Sequence, residues 1–215
     1  MPQFDAFVFD LDGTLLNTLP DLVALTNRSL AKAGLPERTE GEILSFVGNG
    51  LRSLMERAVP GGSSPRVVDA VMQNWKDDYA EFGIALTVPY DGMRETLAAL
   101  KARGKKLAVL SNKFDGGVQE IIPIHFPGMF DAMHGEGPLF PRKPDPTGLL
   151  STIAELGASP ETTAYVGDSG SDMRVACAAG TFAVGVTWGY RPEAELRAQG
   201  ADAIITAPED LLAFA

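Results

Sequence analysis

From Val88 to the end of the chain, short apolar runs take turns with stretches of helical periodicity, and this alternation constrains the fold more than any other feature. Lys106–Leu110, a short run near Phe130–Met133, Thr163–Val166, Phe182–Val186 and Ala203–Ile205 read as strands. Between them, Met93, Leu97 and Leu100, then Val118–Ile122, then Leu149, Leu150, Ile153 and Leu156 mark helices. A further helix is expected between Asp172 and Gly180, and a last one from Pro208. Strands alternating with helices of this length predict a doubly wound parallel sheet, a Rossmann-like core with helices on both faces. Right-handed crossovers then bring every strand's carboxyl end to one edge, where ligands of such sheets bind.

One strand precedes this series. Phe7, Val8 and Phe9 form a continuous apolar run that stops on Asp10-Leu-Asp12-Gly13-Thr14. Two carboxylates at this spacing in extended backbone point the same way, and they repel unless one is protonated or a cation lies between them. After Thr14 the pattern turns helical. Thr18 with Asp21, Thr39 with Glu42, and Ser64-Pro65 read as helix starts. Val68, Val71, Met72, Trp75, Tyr79 and Phe82 follow at helical spacing, with Met72, Trp75 and Tyr79 expected in the core of this segment. Residues 16–83 therefore read as a small all-helical cap domain inserted after the first strand, with residues 1–15 and 84–215 forming the α/β core.

Composition narrows the partners. The 215 residues carry a formal charge of -10, which weighs against nucleic acid and anionic membrane surfaces. No apolar run approaches the roughly 20 residues that span a bilayer. The single Cys177 can form no internal disulfide and is expected as a small core residue in a reduced, cytoplasmic protein. The N-terminus has no basic segment followed by an apolar run of the kind that directs export. The chain is expected to act as a monomer or homodimer.

Three strands end in polar residues at the shared edge: Asp10 and Asp12, Ser111 and Asn112, and Asp168 with Asp172. Lys143 enters just before a helix. Asp10, Asp168 and Asp172 make a hard, all-oxygen anionic site that favours Mg²⁺ over zinc or copper. A lysine and a hydroxyl beside such a metal suit a phosphate.

These residues resemble the four motifs of the haloacid dehalogenase superfamily: Asp10-x-Asp12-Gly13-Thr14, Ser111, Lys143 before Pro144, and Gly167-Asp168-x-x-x-Asp172. The helical insert, Val47-Gly48-Asn49-Gly50-Leu51, Leu54-Met-Glu-Arg57 and Ser111-Asn112-Lys113 resemble its phosphoglycolate phosphatase-like branch. The resemblance implies a Mg²⁺-dependent phosphate monoester hydrolase, with 2-phosphoglycolate as the expected substrate. It implies Asp10 as nucleophile and Asp12 as acid and base. Mg²⁺ would be held by Asp10, the carbonyl of Asp12, and Asp168, with Asp172 acting through water or orienting Lys143. Thr14, Ser111, Asn112 and Lys143 would surround the phosphoryl oxygens. Gly48, Asn49, Gly50 and Arg52 are the cap residues expected to select the substrate. Other readings are a phosphatase for a nucleotide, a sugar phosphate or pyrophosphate, a hexose-phosphate mutase, and a phospho-acceptor receiver domain. Against the last stand Asp12 and the cap insert, for which a receiver has no use.

Overall fold

The computed structural model describes residues 2–215, which divide into two compact units. One combines the N-terminal segment ending at Asn17 with Pro89–Ala215, and the other is Thr18–Val88. The chain thus crosses between units at Asn17/Thr18 and Val88/Pro89, a few residues beyond the positions expected from the sequence.

The first unit opens with β1 (Ala6–Phe9), followed by the two-residue β2 (Leu16–Asn17). The second unit is helical, with α1 (Leu19–Lys32), α2 (Glu40–Phe46), α3 (Gly50–Ala58) and α4 (Pro65–Phe82). Helix α2 starts on the expected capping box: Glu42 N donates to Thr39 Oγ1 at 3.3 Å and Thr39 N donates to Glu42 Oε2 at 2.8 Å. Asp21 behaves otherwise. It turns from the start of α1 to accept from Leu86 N and from Thr87 Oγ1 (2.7 Å), pinning the returning chain to the helix. Trp75 and Tyr79, stacked at 5.0 Å, are buried on α4 with Val68 and Val71.

The chain returns through β3 (Val88–Pro89), which pairs with β2, and α5 (Met93–Ala102). It continues as β4 (Lys106–Phe114), α6 (Asp115–His125), β5 (Ala132–Glu136), α7 (Thr147–Glu155) and β6 (Thr163–Gly167). Then come α8 (Gly170–Ala179), β7 (Phe182–Val186), α9 (Glu193–Ala198) and β8 (Ala203–Ile205). Strand β4 runs four residues further than its apolar stretch, because pairing with β5 resumes at Phe114–Glu136 after an irregularity. The C-terminal segment Pro208–Phe214 is 3₁₀ rather than α-helical. Helix α9 was not among the expected elements, although Pro192 at its start, Glu193 and Glu195 in its first turn and Arg197 in its last mark it in the sequence.

The main sheet has the order β5-β4-β1-β6-β7-β8, with every pairing parallel. Strand β1 lies in the middle, and all four of its residues are buried. Alternation divides them: Ala6 and Val8 join Tyr165, Leu149, Ile153 and Met173 in one core cluster, whereas Phe7 and Phe9 stack on the opposite face. Helix α8 buries Met173, Val175 and Ala176, and this phase turns Cys177 to solvent, contrary to the core position expected from its small apolar side chain. The chain's connections leave β1 toward β4 and leave β6 toward β7, so the sheet changes direction between β1 and β6. In open α/β sheets that crevice, at the carboxyl ends, is where ligands sit. Among the described residues, no helix is long and apolar enough to cross a membrane.

Candidate active site

Asp10 follows β1 directly, and its N–H donates to Val166 O on β6 (2.9 Å), which fixes the side chain at the crevice. Across it stand Asp168 and Asp172, placed by the end of β6 and the first turn of α8. One oxygen from each of the three carboxylates lies within 4.8 Å of the others, a group able to hold a metal ion. Burial, then repulsion from Asp172 and Asp12, raises the Asp10 carboxyl to about 6 despite the opposing Lys143 ammonium. Burial, followed by Asp172 and Asp10, also pushes Asp168 well above the usual carboxylate range. A cation among these oxygens would relieve both effects.

Lys143 is almost fully buried, with Nζ 2.7 Å from Asp172 Oδ1 and 2.9 Å from Asp10 Oδ1. The approach to Asp10 is an ion pair without hydrogen-bond alignment, since Asp10 Oδ1 has no hydrogen-bonding partner. Burial opposes the ammonium, but Asp10 and Asp172 outweigh it and hold its pKa well above that of an ordinary lysine.

Asp172 is saturated. Its Oδ1 accepts from Lys143 and lies 3.2 Å from the Tyr165 hydroxyl, while its Oδ2 accepts from Ser169 N (2.9 Å) and Ser169 Oγ (2.6 Å). One carboxylate thus caps α8 and orients the lysine. Asp10 and Asp168 retain more capacity for a cation.

Asp168 is steered from two sides. Thr14 Oγ1 donates to Oδ1 (3.2 Å) and Tyr190 N donates to Oδ2 (2.7 Å). Gly13, at φ 80°, must be glycine: a Cβ there would lie 2.4 Å from Asp168 Oδ2. A Cβ on Gly189 would be equally close, 2.3 Å from Asp168 Cβ.

Ser111 is buried at the same edge, its Oγ accepting from Lys113 N (3.3 Å). Asn112, expected at the phosphoryl oxygens, is buried beside it and holds Lys143. Its Oδ1 accepts from Lys143 N at 2.8 Å, and its Nδ2 approaches Lys143 O at 3.5 Å, so its side chain grips the lysine's backbone. Asp12 is partly exposed, its Oδ1 3.7 Å from Lys113 Nζ. In the helical unit, Gly48, Asn49 and Gly50 form the turn between α2 and α3, with both glycines at positive φ. Arg52 is exposed there and already paired, 2.7 Å from Asp69 and 3.8 Å from Glu56.

Three contributors escaped sequence reasoning: Tyr165, Gly189 and the Tyr190 backbone. Tyr165 is buried on β6, where its hydroxyl accepts from Lys143 Nζ (3.0 Å) and donates to Leu110 O (2.9 Å). It reads in sequence as one more apolar strand residue.

Residues 7–186 match the model of the haloacid dehalogenase-like hydrolases. A phosphoglycolate phosphatase of Pseudomonas putida KT2440 is 35% identical over 92% of this chain and 75% of its own length. An N-acetylmuramic acid 6-phosphate phosphatase of Pseudomonas aeruginosa PAO1 is 32% identical over 98% of this chain and 94% of its own. A crystal structure described as a predicted phosphoglycolate phosphatase, from Haemophilus somnus 129PT, superimposes with a TM-score of 0.92 at 32% identity, covering 99% of this chain and 98% of that one.

Proposed function

Because the chain belongs to the haloacid dehalogenase-like hydrolases and is a phosphatase of the phosphoglycolate phosphatase-like branch, we propose that it is a Mg²⁺-dependent phosphate monoester hydrolase whose substrate is 2-phosphoglycolate. The observation that carries the reading is Lys143 held between Asp10 and Asp172 at the carboxyl edge, with Asp12 two residues beyond the first acid.

In this reading an Asp10 carboxylate oxygen forms a bond to phosphorus as the ester P–O bond breaks, giving an aspartyl-phosphate. Asp12 donates a proton to the departing ester oxygen. It then accepts one from the water that attacks phosphorus, and the P–O bond to Asp10 breaks to release phosphate. Asp10, Asp168 and the Asp12 carbonyl would hold Mg²⁺, which would supply positive charge against the phosphoryl oxygens. Lys143 and Ser111 donate to those oxygens, Thr14 holds Asp168 in place, and Asp172 holds Lys143. Asn112 serves the phosphoryl group through its grip on Lys143. Gly48, Asn49, Gly50 and Arg52 on the helical unit contribute to the choice of substrate; Arg52 must share or give up Asp69 to do so.

The test is phosphate release from a panel of small monoesters with Mg²⁺, containing both 2-phosphoglycolate and N-acetylmuramic acid 6-phosphate. The second compound is included because a relative of comparable coverage is named for it. Turnover of a sugar phosphate far faster than of 2-phosphoglycolate would overturn the substrate assignment. Release of no phosphate from any ester would overturn the reading itself.

A further inference from the structure

Two buried lysines serve the acidic edge, and only Lys143 has a place in the chemistry above. Lys113, near the end of β4, is also buried, at 7% exposure. A lysine is almost never buried to this degree without a reason that involves its charge. The two lysines stand against different acids. Lys143 lies tightly between Asp10 and Asp172, at 2.9 and 2.7 Å, whereas Lys113 faces Asp12 at 3.7 Å, beyond a tight hydrogen bond.

Resting on the phosphatase reading, we propose that Lys113 is a specificity-determining residue that binds a carboxylate carried by the substrate's leaving group. In that reading Asp12 protonates the ester oxygen, which must come within about 2.6–3.2 Å of its carboxyl group. The Lys113 ammonium is 3.7 Å from that same carboxyl group. A group one or two bonds beyond the ester oxygen therefore falls within its reach. Lys143 cannot fill the role, because it is committed to the nucleophile and to Asp172.

The electrostatics of the edge make such a cation necessary. Asp10, Asp12, Asp168 and Asp172 gather there in a chain of formal charge -10. A metal ion and Lys143 answer the phosphoryl charge, but a second negative group on the leaving side would meet Asp12 alone. Lys113 supplies the compensating charge at that point. Its compact ammonium, with three rotatable donors, suits a carboxylate arriving on a small flexible ester. A neutral leaving group would leave the ammonium without this partner and be disfavoured.

The discriminating pair of substrates is 2-phosphoglycolate and 2-hydroxyethyl phosphate, which carry the same phosphate ester on a two-carbon unit ending in a carboxylate or a neutral hydroxyl. kcat and KM for both are to be measured in the full-length wild type, Lys113→Met, Lys113→Gln and Lys113→Arg. Wild type is expected to favour the carboxylate substrate by about ten-fold or more in kcat/KM. Lys113→Met and Lys113→Gln should erase that preference, the excess loss on 2-phosphoglycolate appearing chiefly in KM, and Lys113→Arg should keep part of it. Equal losses on both substrates, or an unchanged preference, would overturn the proposal. So would a wild type that turns over both esters alike, which needs no variant to fold and leaves the phosphatase reading standing. Failure of wild type to release phosphate from either ester would overturn the proposal, and would overturn the phosphatase reading as well if no other ester of the panel is hydrolysed.

Discussion

Asn112 closes its side-chain amide on the backbone of Lys143, with Lys143 N donating to Oδ1 at 2.8 Å. The contact joins the end of β4 to a loop residue 31 positions further on, and it fixes where the lysine begins before its ammonium reaches Asp10 and Asp172. Asn112→Ala should therefore lower kcat more than it raises KM, by about 1–3 kcal/mol of transition-state stabilisation, the cost of a buried donor left unmatched. Asn112→Asp keeps the acceptor and should lose less. Steady-state kinetics on the three proteins decide; an alanine variant as active as wild type would remove the positioning role.

Tyr165→Phe tests the same lysine from the other side. It deletes the hydroxyl that accepts from Nζ and donates to Leu110 O, while the ring stays in the core cluster. A loss of about 1–3 kcal/mol in kcat/KM is expected, with Tm lowered by no more than a few degrees. A large fall in Tm with undiminished turnover would make the hydroxyl a structural group only.

Asp10→Asn should abolish turnover, because an amide is a poor nucleophile, and should stabilise the metal-free protein at neutral pH. The carboxyl titrates near 3.8 when unfolded and at about 6 when folded. Between these values the folded state keeps a proton that the unfolded state has released. Stability therefore falls as pH rises through that window, reaching a cost of about 3 kcal/mol above it. The asparagine variant escapes this cost. Thermal unfolding in EDTA from pH 5 to 8 should show wild type losing stability with pH and Asp10→Asn losing less; a variant less stable than wild type at pH 8 would contradict the burial argument.

Magnesium should raise the Tm of wild type by preferential binding to the folded state, about 2.7 kcal/mol at a hundred times Kd. EDTA should abolish activity. Calcium should inhibit, because its looser, higher coordination engages both Asp10 oxygens. Asp168→Asn and Gly13→Ala should blunt the thermal shift as well as the activity, the latter because its Cβ would strike Asp168 Oδ2. An undiminished shift in Asp168→Asn would move the metal elsewhere.

The legible part of this molecule was the part written locally. Apolar runs that stop on Asp10, Ser111 and Asp168 announce both the strands and the edge where they end. The helical insert was equally plain, from the spacing of Val68, Val71, Trp75 and Tyr79. What escaped depended on residues brought together from a distance. Tyr165 owes its task to Lys143 and Leu110, 22 and 55 positions away, and nothing around it marks a hydroxyl in use. Tyr190 contributes a backbone N–H, which has no sequence signature at all. Cys177 was misplaced by its chemistry, since helix phase rather than apolarity decided which face it took.

The central position of β1 has a consequence for the birth of the molecule. Its two neighbours begin at Lys106 and Thr163, so the strand leaves the ribosome long before either partner exists. Helices of the intervening segment pack among themselves and can form in that interval, but the strand that leads into Asp10 must wait, its apolar residues uncovered, for pairings of high sequence separation. The last brace on Asp168 comes from Tyr190. Catalytic competence is therefore a late event in biogenesis, and this chain should be most exposed to aggregation while Phe7 and Phe9 are still without their sheet.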